Sequence, residues 1–269
     1  MKIIYSKKKL INSIIGQKNL GFVPTMGAIH SGHISLIKKS INQSNKTIVS
    51  IFINKPQFNK KNDFLRYPKN LKSDILSLNK LKVDYLYIPS SFEIYPTGPS
   101  RNIKICLFSK KLCGKNRPGH FEAVVDVISR FIEIIKPQKI YFGEKDMQQL
   151  KIVEHFIKKN YSNIKVIGCR TIREKNGIPF SSRNLLLTSK EKKIASNIYK
   201  YLKNKKRDLI KKKISLITIK KDIFDLGANK IDYIKLLNIN KIIKPFKKKL
   251  KYRIFIAYFL GSIRLIDNF

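Results

Sequence analysis

The sequence predicts an α/β fold: a doubly wound parallel sheet followed by a smaller C-terminal α+β domain. Three observations carry that expectation. Short apolar runs rich in β-branched residues recur through the first two thirds of the chain, helical apolar stripes alternate with them, and the texture changes past Arg183, where Gly becomes scarce and Lys runs thicken. Strands that are apolar on both faces and alternate with helices suit a buried parallel sheet, because the crossover helices cover its faces.

The elements follow in order. Residues 21–25 (GFVPT) read as a strand ending at Pro and Gly, and residues 47–54, 83–89, 139–142 and 164–169 read as four more. Between them, Ile34, Leu36, Ile37 and Ile41 share one helix face. Leu71, Ile75, Leu78 and Leu81 share another, as do Val124, Val125, Ile128, Phe131, Ile132 and Ile135, and then Leu150, Val153, His155 and Phe156. Residues 91–118, with Tyr95-Pro96, Gly98-Pro99 and Gly114, read as an irregular insertion. A long helix is expected over 188–213 and a last strand over 252–260. The break near 176–184 gives a Rossmann-like domain over 1–178 and a smaller one over 179–269.

Composition excludes several classes. Hydrophobic residues at 43% and aromatics at 10% rule out a disordered tail in this 269-residue chain. Cys106, Cys113 and Cys169 cannot all pair and form no C-x-x-C, which argues against a disulfide scaffold and a zinc ribbon. The formal charge of +40 raises nucleic acid as a partner. Of the 57 basic residues, however, ten are Arg and 47 Lys, and the lysines are spread in runs such as Lys7–Lys9, Lys211–Lys213 and Lys247–Lys249. Lys, Asn and Ile share A/T-rich codons, so compositional drift accounts for all three. Loose attraction to polyanions is expected, and a specific nucleic-acid partner is not. The charged first ten residues lead into no apolar signal core. The apolar run at 254–263 is about half the ~20 residues a membrane span needs. A soluble, cytoplasmic protein without a membrane partner is expected.

In open parallel sheets, ligands bind beyond the carboxyl ends of the strands, and the unusual residues fall there. After the first strand comes Met26-Gly27-Ala28-Ile29-His30-Ser31-Gly32-His33, with a helix opening at Ser31 or Gly32. His30 and His33 are three apart and share a helix face. At a helix N-terminus they form an anion site suited to charge developing in phosphoryl or nucleotidyl transfer, though two capping or surface histidines would read the same way. No G-x-x-x-x-G-K-[ST] and no G-x-G-x-x-G are present, which removes the P-loop enzymes and weakens a dinucleotide reading. After the second strand, Asn54 and Gln57 suit a small polar substrate or an ordinary polar turn. Gly143-Glu144-Lys145-Asp146 follows the fourth strand and suits a phosphate with its metal. After the fifth, Phe180-Ser181-Ser182-Arg183 makes an anion-binding cluster or a helix cap.

Taken together, FVPTMGAIHSGHISLI, VSIFINKPQF with its following RYP, GHFEAVVDVISRF, YFGEKDMQQL, REKNGIPFSSRN and GSIRLIDN resemble the pantoate–β-alanine ligase family along nearly the whole chain. The His-x-Gly-His turn alone marks only the wider nucleotidyltransferase superfamily. The resemblance implies attack of pantoate on the α-phosphorus of ATP to give pantoyl adenylate and pyrophosphate, with Mg²⁺ accompanying ATP. The amine of β-alanine then displaces AMP. It also implies a homodimer. Carried over by position, Met26 to His33, Gly143 to Asp146, Ile172 and Phe180 to Arg183 would contact ATP. His33, His30, Lys145 and Arg183 would be catalytic, and Gln57, Gln149 and Asn54 would hold pantoate and β-alanine. Metal ligands are not legible, with Asp74 as one candidate. The Pro of Asn54-Lys55-Pro56-Gln57 sits one place later than the family's usual order.

Overall fold

The computed structural model describes residues 1–100, 102–238 and 252–269, so the Lys247–Lys249 run lies outside the described residues. A six-stranded parallel sheet is built from β1 (Lys2–Ile4), β2 (Leu20–Thr25), β3 (Lys46–Ile51), β4 (Tyr85–Tyr87), β5 (Lys139–Gly143) and β6 (Lys165–Cys169), in the order β1-β4-β3-β2-β5-β6. The register of β2 on β3 runs from Leu20↔Lys46 to Thr25↔Ile51, while β5 flanks the other side of β2 through Phe22↔Ile140. Strand order therefore reverses between β2 and β5. Such a reversal opens a crevice at the carboxyl ends, because the connecting helices leave in opposite directions.

Helices α1 (Lys7–Ile14), α2 (Ser31–Gln43), α3 (Lys61–Leu65), α4 (Leu71–Lys80), α5 (Ser91–Ile94), α6 (Cys113–Asn116), α7 (His120–Ile135) and α8 (Met147–Asn160) join and cover these strands. Alternate strand residues face opposite layers. Phe22, Phe52 and Tyr87 pack around Phe131 of α7, with ring centroids 5.3, 6.1 and 6.1 Å from it. Val23, Val49 and Leu86 face the other layer with Ile37 and Leu78. Truncating Phe131 to Ala is expected to cost about 3–5 kcal/mol, since the cavity lies where three rings meet.

Past residue 178 the chain forms α9 (Ser189–Ile210), α10 (Leu216–Asp225) and an antiparallel sheet, β7 (Lys230–Asn238), β8 (Tyr252–Leu260) and β9 (Ile263–Asn268), in that order. Thr188 and Glu191 close a reciprocal capping box at the start of α9. Leu202, Ile219, Ile223, Ile254 and Ile256 belong to a second hydrophobic core cluster.

Several elements depart from the expectation. β1 and α1 were not foreseen: β1 is three residues long, and Lys7–Lys9 mask the helical stripe. β7 was missed because Asp232 and Lys235 interrupt its apolar run; Asp232 accepts from Arg264 Nε at 2.7 Å across the cleft side of the sheet. The insertion at 91–118 contains α5, α6 and a short 3₁₀ turn at Leu107–Lys110. Arg130 ties this insertion to α7, donating to Ile94 O, to Gly98 O and to the buried Asp126. Among the described residues no helix is long and apolar enough to cross a membrane.

Candidate active site

The turn after β2 is built by its own backbone geometry and one distant carboxylate. Gly27 and Ala28 both take positive φ, +80° and +49°. The cost of a left-handed alanine is met by Asp74 of α4, whose Oδ2 accepts from Ala28 N at 2.9 Å and whose Oδ1 accepts from Ile29 N at 2.7 Å. Asp74 is 4% exposed. Its oxygens face inward onto amides, which corrects its candidacy as a metal ligand: a hydrated ion has no access to it.

His30 caps α2, its Nδ1 accepting from Gly32 N at 3.1 Å and His33 N at 3.4 Å. Capping and a functional role are thus not alternatives here. An accepting Nδ1 puts the proton of the neutral ring on Nε2, leaving one donor free. Gly32 is required for room, since a Cβ there would meet His30 Cε1 at 2.9 Å. The rings of His30 and His33 stack at 3.9 Å and 17°. Burial, then the Lys145 charge, pushes His30 down to about 4. Burial, then His30 and Lys145, holds His33 well below the usual imidazole range. His33 Nδ1 is buried without a partner. Both rings are neutral donors near pH 7.

Opposite stand the other clusters. Gly143 ends β5, and residues 144–146 form a 3₁₀ turn that presents Lys145. Asn268 of β9 holds that turn, its Nδ2 donating to Glu144 O and Lys145 O at 2.8 Å each, while Arg253 bonds Asn268 Oδ1 and Glu144 Oε2 at 2.7 Å each. Ser182 Oγ donates to Ala28 O at 3.4 Å, seating the Ser-Ser-Arg corner on the histidine turn. Arg183 Nη2 makes a forked contact with Asp63 of α3, at 2.9 and 3.1 Å. Gln57 is the last residue of a 3₁₀ turn, Lys55–Gln57, so the shifted Pro56 still delivers it to the cavity.

A cavity of about 680 Å³, in the size range of small-molecule sites, joins these pieces. Met26, His30, Gly32, His33, Asn54, Gln57, Gly143, Lys145, Asp146, Gln149, Ile172 and Phe180 to Arg183 line it. Gly27, Ala28, Ile29, Ser31 and Glu144 do not; the first three form the turn beneath, Ser31 opens α2, and Glu144 turns to Arg253. Asn54 is 1% exposed, and its amide is spent on Gln57 Oε1, Ala123 O and Tyr95 OH, so it stands behind Gln57. Sequence reasoning missed Asp63, Tyr67, Arg117, His120 and Arg264, which also line the cavity. Arg117 and His120 both bond Gln57 O, at 3.2 and 2.8 Å. Their proximity to Gln57 is tertiary, and no local spacing signals it.

Paired neutral imidazoles at the switch point of a parallel sheet, facing a lysine and an arginine, define an α/β nucleotidyl-transferring enzyme. The comparisons narrow the class. A family model described as Pantoate-beta-alanine ligase matches residues 2–269, and the chain belongs to that family. The pantothenate synthetase of Francisella tularensis subsp. mediasiatica (strain FSC147) is 43% identical over 259 residues, covering 96% of this chain and 92% of the relative. The crystal structure of pantoate-beta-alanine ligase from Francisella tularensis, complexed with beta-gamma ATP and beta-alanine, matches with a TM-score of 0.87 and 41% identity over 100% of this chain and 97% of that one. A pantoate-beta-alanine ligase structure from Thermus thermophilus gives 0.89 at 30% identity, covering 100% and 99%.

Proposed function

We propose that this chain's reaction, the ATP-dependent condensation of (R)-pantoate with β-alanine through pantoyl adenylate, runs in the 680 Å³ cavity with the histidine turn as its centre. The observation that carries this is the convergence of His30, His33, Lys145, Gln57, Gln149 and Arg183 on one cavity from separate stretches of chain.

The pantoate carboxylate attacks the α-phosphorus, and negative charge builds on the phosphate oxygens. The Nε2–H of His30 and the neutral ring of His33 donate to that charge, while Lys145 and Arg183 balance the departing pyrophosphate. Gln57 and Gln149 orient pantoate so that two bound reactants behave as one molecule. Asn54 acts through Gln57 by holding its Oε1. Met26, His30, Gly143, Ile172, Phe180, Ser181 and Ser182 shape the nucleotide wall, and Gly27, Ala28, Ile29, Ser31 and Glu144 support it from behind. In the second step the free amine of β-alanine attacks the acyl carbon, the C–N bond forms, the acyl–oxygen bond to phosphate breaks, AMP leaves with that electron pair, and the proton shed by the nitrogen passes to solvent.

Among the described residues no cluster of three or more His, Cys, Asp or Glu side chains stands ready for a metal. Asp63 is paired with Arg183, and Asp74 faces backbone amides. Asp146, whose side chain is 44% exposed on the cavity wall and lies 3.4 Å from Lys145 Nζ at one oxygen only, is the carboxylate that would hold a Mg²⁺ accompanying ATP. Bound there, the ion would neutralise phosphate charge.

The proposal extends to a homodimer, on the strength of family membership, and to a cytoplasmic setting, supported by three cysteines that remain free thiols. A division near residue 178 is supported by the second core, whose buried members begin at Ile178, so that residue itself packs with the smaller unit. The test is AMP release from ATP, Mg²⁺, pantoate and β-alanine, with each omitted in turn. Release must need both organic substrates; release indifferent to either omission overturns the reading.

A further inference from the structure

The cavity wall carries a charge that the reaction described above leaves unused. Arg183 faces Asp63, Arg264 faces Asp232, and Lys145 lies 3.4 Å from Asp146. Arg117 is the part-buried cation of the wall with no carboxylate within 4 Å among the described residues. Its one side-chain hydrogen bond there runs from Nη2 to Gln57 O, which leaves the other guanidinium N–H groups without an acceptor. Burial, then the charges of Arg183 and Arg264, pushes it down to about 10 against smaller opposing effects of Cys113 and Asp63, so it is still a cation at neutral pH. A guanidinium held among like charges is an unbalanced site, and an anion that reaches it gains a forked, charge-assisted contact.

The position is also rigid. Pro118 and Gly119 turn the chain sharply into α7, Gly119 at φ +76°. Asn59 Nδ2 donates to Pro118 O at 2.7 Å, and His120 Nδ1 meets Gln57 O at 2.8 Å. Burial and the Arg117 charge push His120 down to about 3, so it enters as a neutral donor and supplies no counter-charge. The corner is thereby fastened to the loop that carries Gln57.

We propose that Arg117 is the specificity-determining residue for the second substrate: it binds the carboxylate of β-alanine and so aims the amine at the acyl carbon beside Gln57. The inference rests on the ligase reading. The fit is one of length and charge. The amine and carboxylate of an extended β-alanine lie roughly 5 Å apart, so an amine at an acyl group held by Gln57 puts its acid one side chain away. ATP phosphates have Lys145, Arg183 and the histidine turn; pantoate's own carboxylate becomes the mixed anhydride. The remaining anion of the reaction thus matches Arg117, the part-buried wall cation without an ion pair among the described residues; Lys60, Arg66 and Arg170, which also line the cavity, are exposed to solvent.

The two half-reactions separate the roles. Pantoate-dependent exchange of pyrophosphate into ATP reads the first step without β-alanine. Product formation with β-alanine, or with its neutral amide 3-aminopropanamide, reads the second. Arg117→Met is expected to keep exchange within about 2-fold, because His120 still holds Gln57 O. It should lower kcat/KM for β-alanine roughly 10²-fold and leave that for 3-aminopropanamide within about 3-fold. Arg117→Lys, which keeps the charge and loses the fork, should fall between for β-alanine and serves if the Met variant does not fold. Loss of exchange in both variants, or equal loss for the acid and the amide, overturns the assignment. Absence of pantoate-dependent exchange in the unaltered enzyme would instead sink the ligase reading itself.

Discussion

Asp74 Oδ2 accepts the amide hydrogen of Ala28 at 2.9 Å from 46 residues away in sequence, and this contact shapes the histidine turn. Replacing Asp74 with Asn presents an N–H group to one of two buried amides. The loss is expected to cost about 2 kcal/mol of stability and to lower kcat at least 10-fold by letting the turn relax. A urea melt and a saturating rate measurement check both. An unchanged kcat in a destabilised protein would detach the turn from the chemistry.

Arg183 Nη2 is held by Asp63 Oδ2 at 2.9 Å on the cavity wall. Both side chains are partly exposed, so the pair is worth a fraction of a kcal/mol to about 1 kcal/mol. Asp63→Asn releases Arg183 and should tighten inhibition by pyrophosphate on the order of 3-fold. Weaker inhibition would show that Asp63 supports Arg183 instead of competing for it.

The buried histidines give stability a defined pH dependence. His120, pushed down to about 3 by burial and Arg117, stays neutral in the folded chain while an unfolded imidazole takes a proton near pH 6.5. The unfolded state therefore binds more protons below 6.5. This contribution is complete above pH 6.5 and is lost as pH falls toward 3. His120→Asn keeps a donor toward Gln57 O and removes the titration. Its urea midpoint should fall less than that of the unaltered protein between pH 6.5 and 4.5. Parallel curves would refute the sign.

Much of the fold was legible because it rests on local signals: the strand runs at 47–54 and 139–142 became β3 and β5, and the helix expected to open at Ser31 or Gly32 opens at Ser31. The strand-end clusters were legible as well, since Gly27, Gly32 and the paired histidines are local requirements of one turn. What the sequence hid is long-range. Nothing near Asp74 says that it serves a turn 46 residues earlier, and nothing near Asn268 says that it pins the Lys145 turn 123 residues before it. β7 was hidden by Asp232, a charge tolerated in a strand because Arg264 neutralises it.

Asn268 is 3% exposed and makes two of its bonds to the backbone of Glu144 and Lys145. Asn268→Ala leaves those carbonyls unpaired. The expected loss is about 2–3 kcal/mol of stability, with a rise in KM for ATP that exceeds any rise for pantoate. Equal effects on the two constants would mean that β9 supports the cavity generally and not the Lys145 turn.

The most direct measurement is pantoate-dependent ATP–pyrophosphate exchange by His33→Ala, with Lys38→Ala on the exposed side of α2 as control. The stacked neutral pair should be needed in the transition state, so exchange at saturating substrates falls by about 10²-fold or more in His33→Ala, with the thermal midpoint nearly unchanged and the control at full rate. Exchange at the unaltered rate in His33→Ala would contradict the account, because the charge it assigns to the imidazoles would then be carried elsewhere.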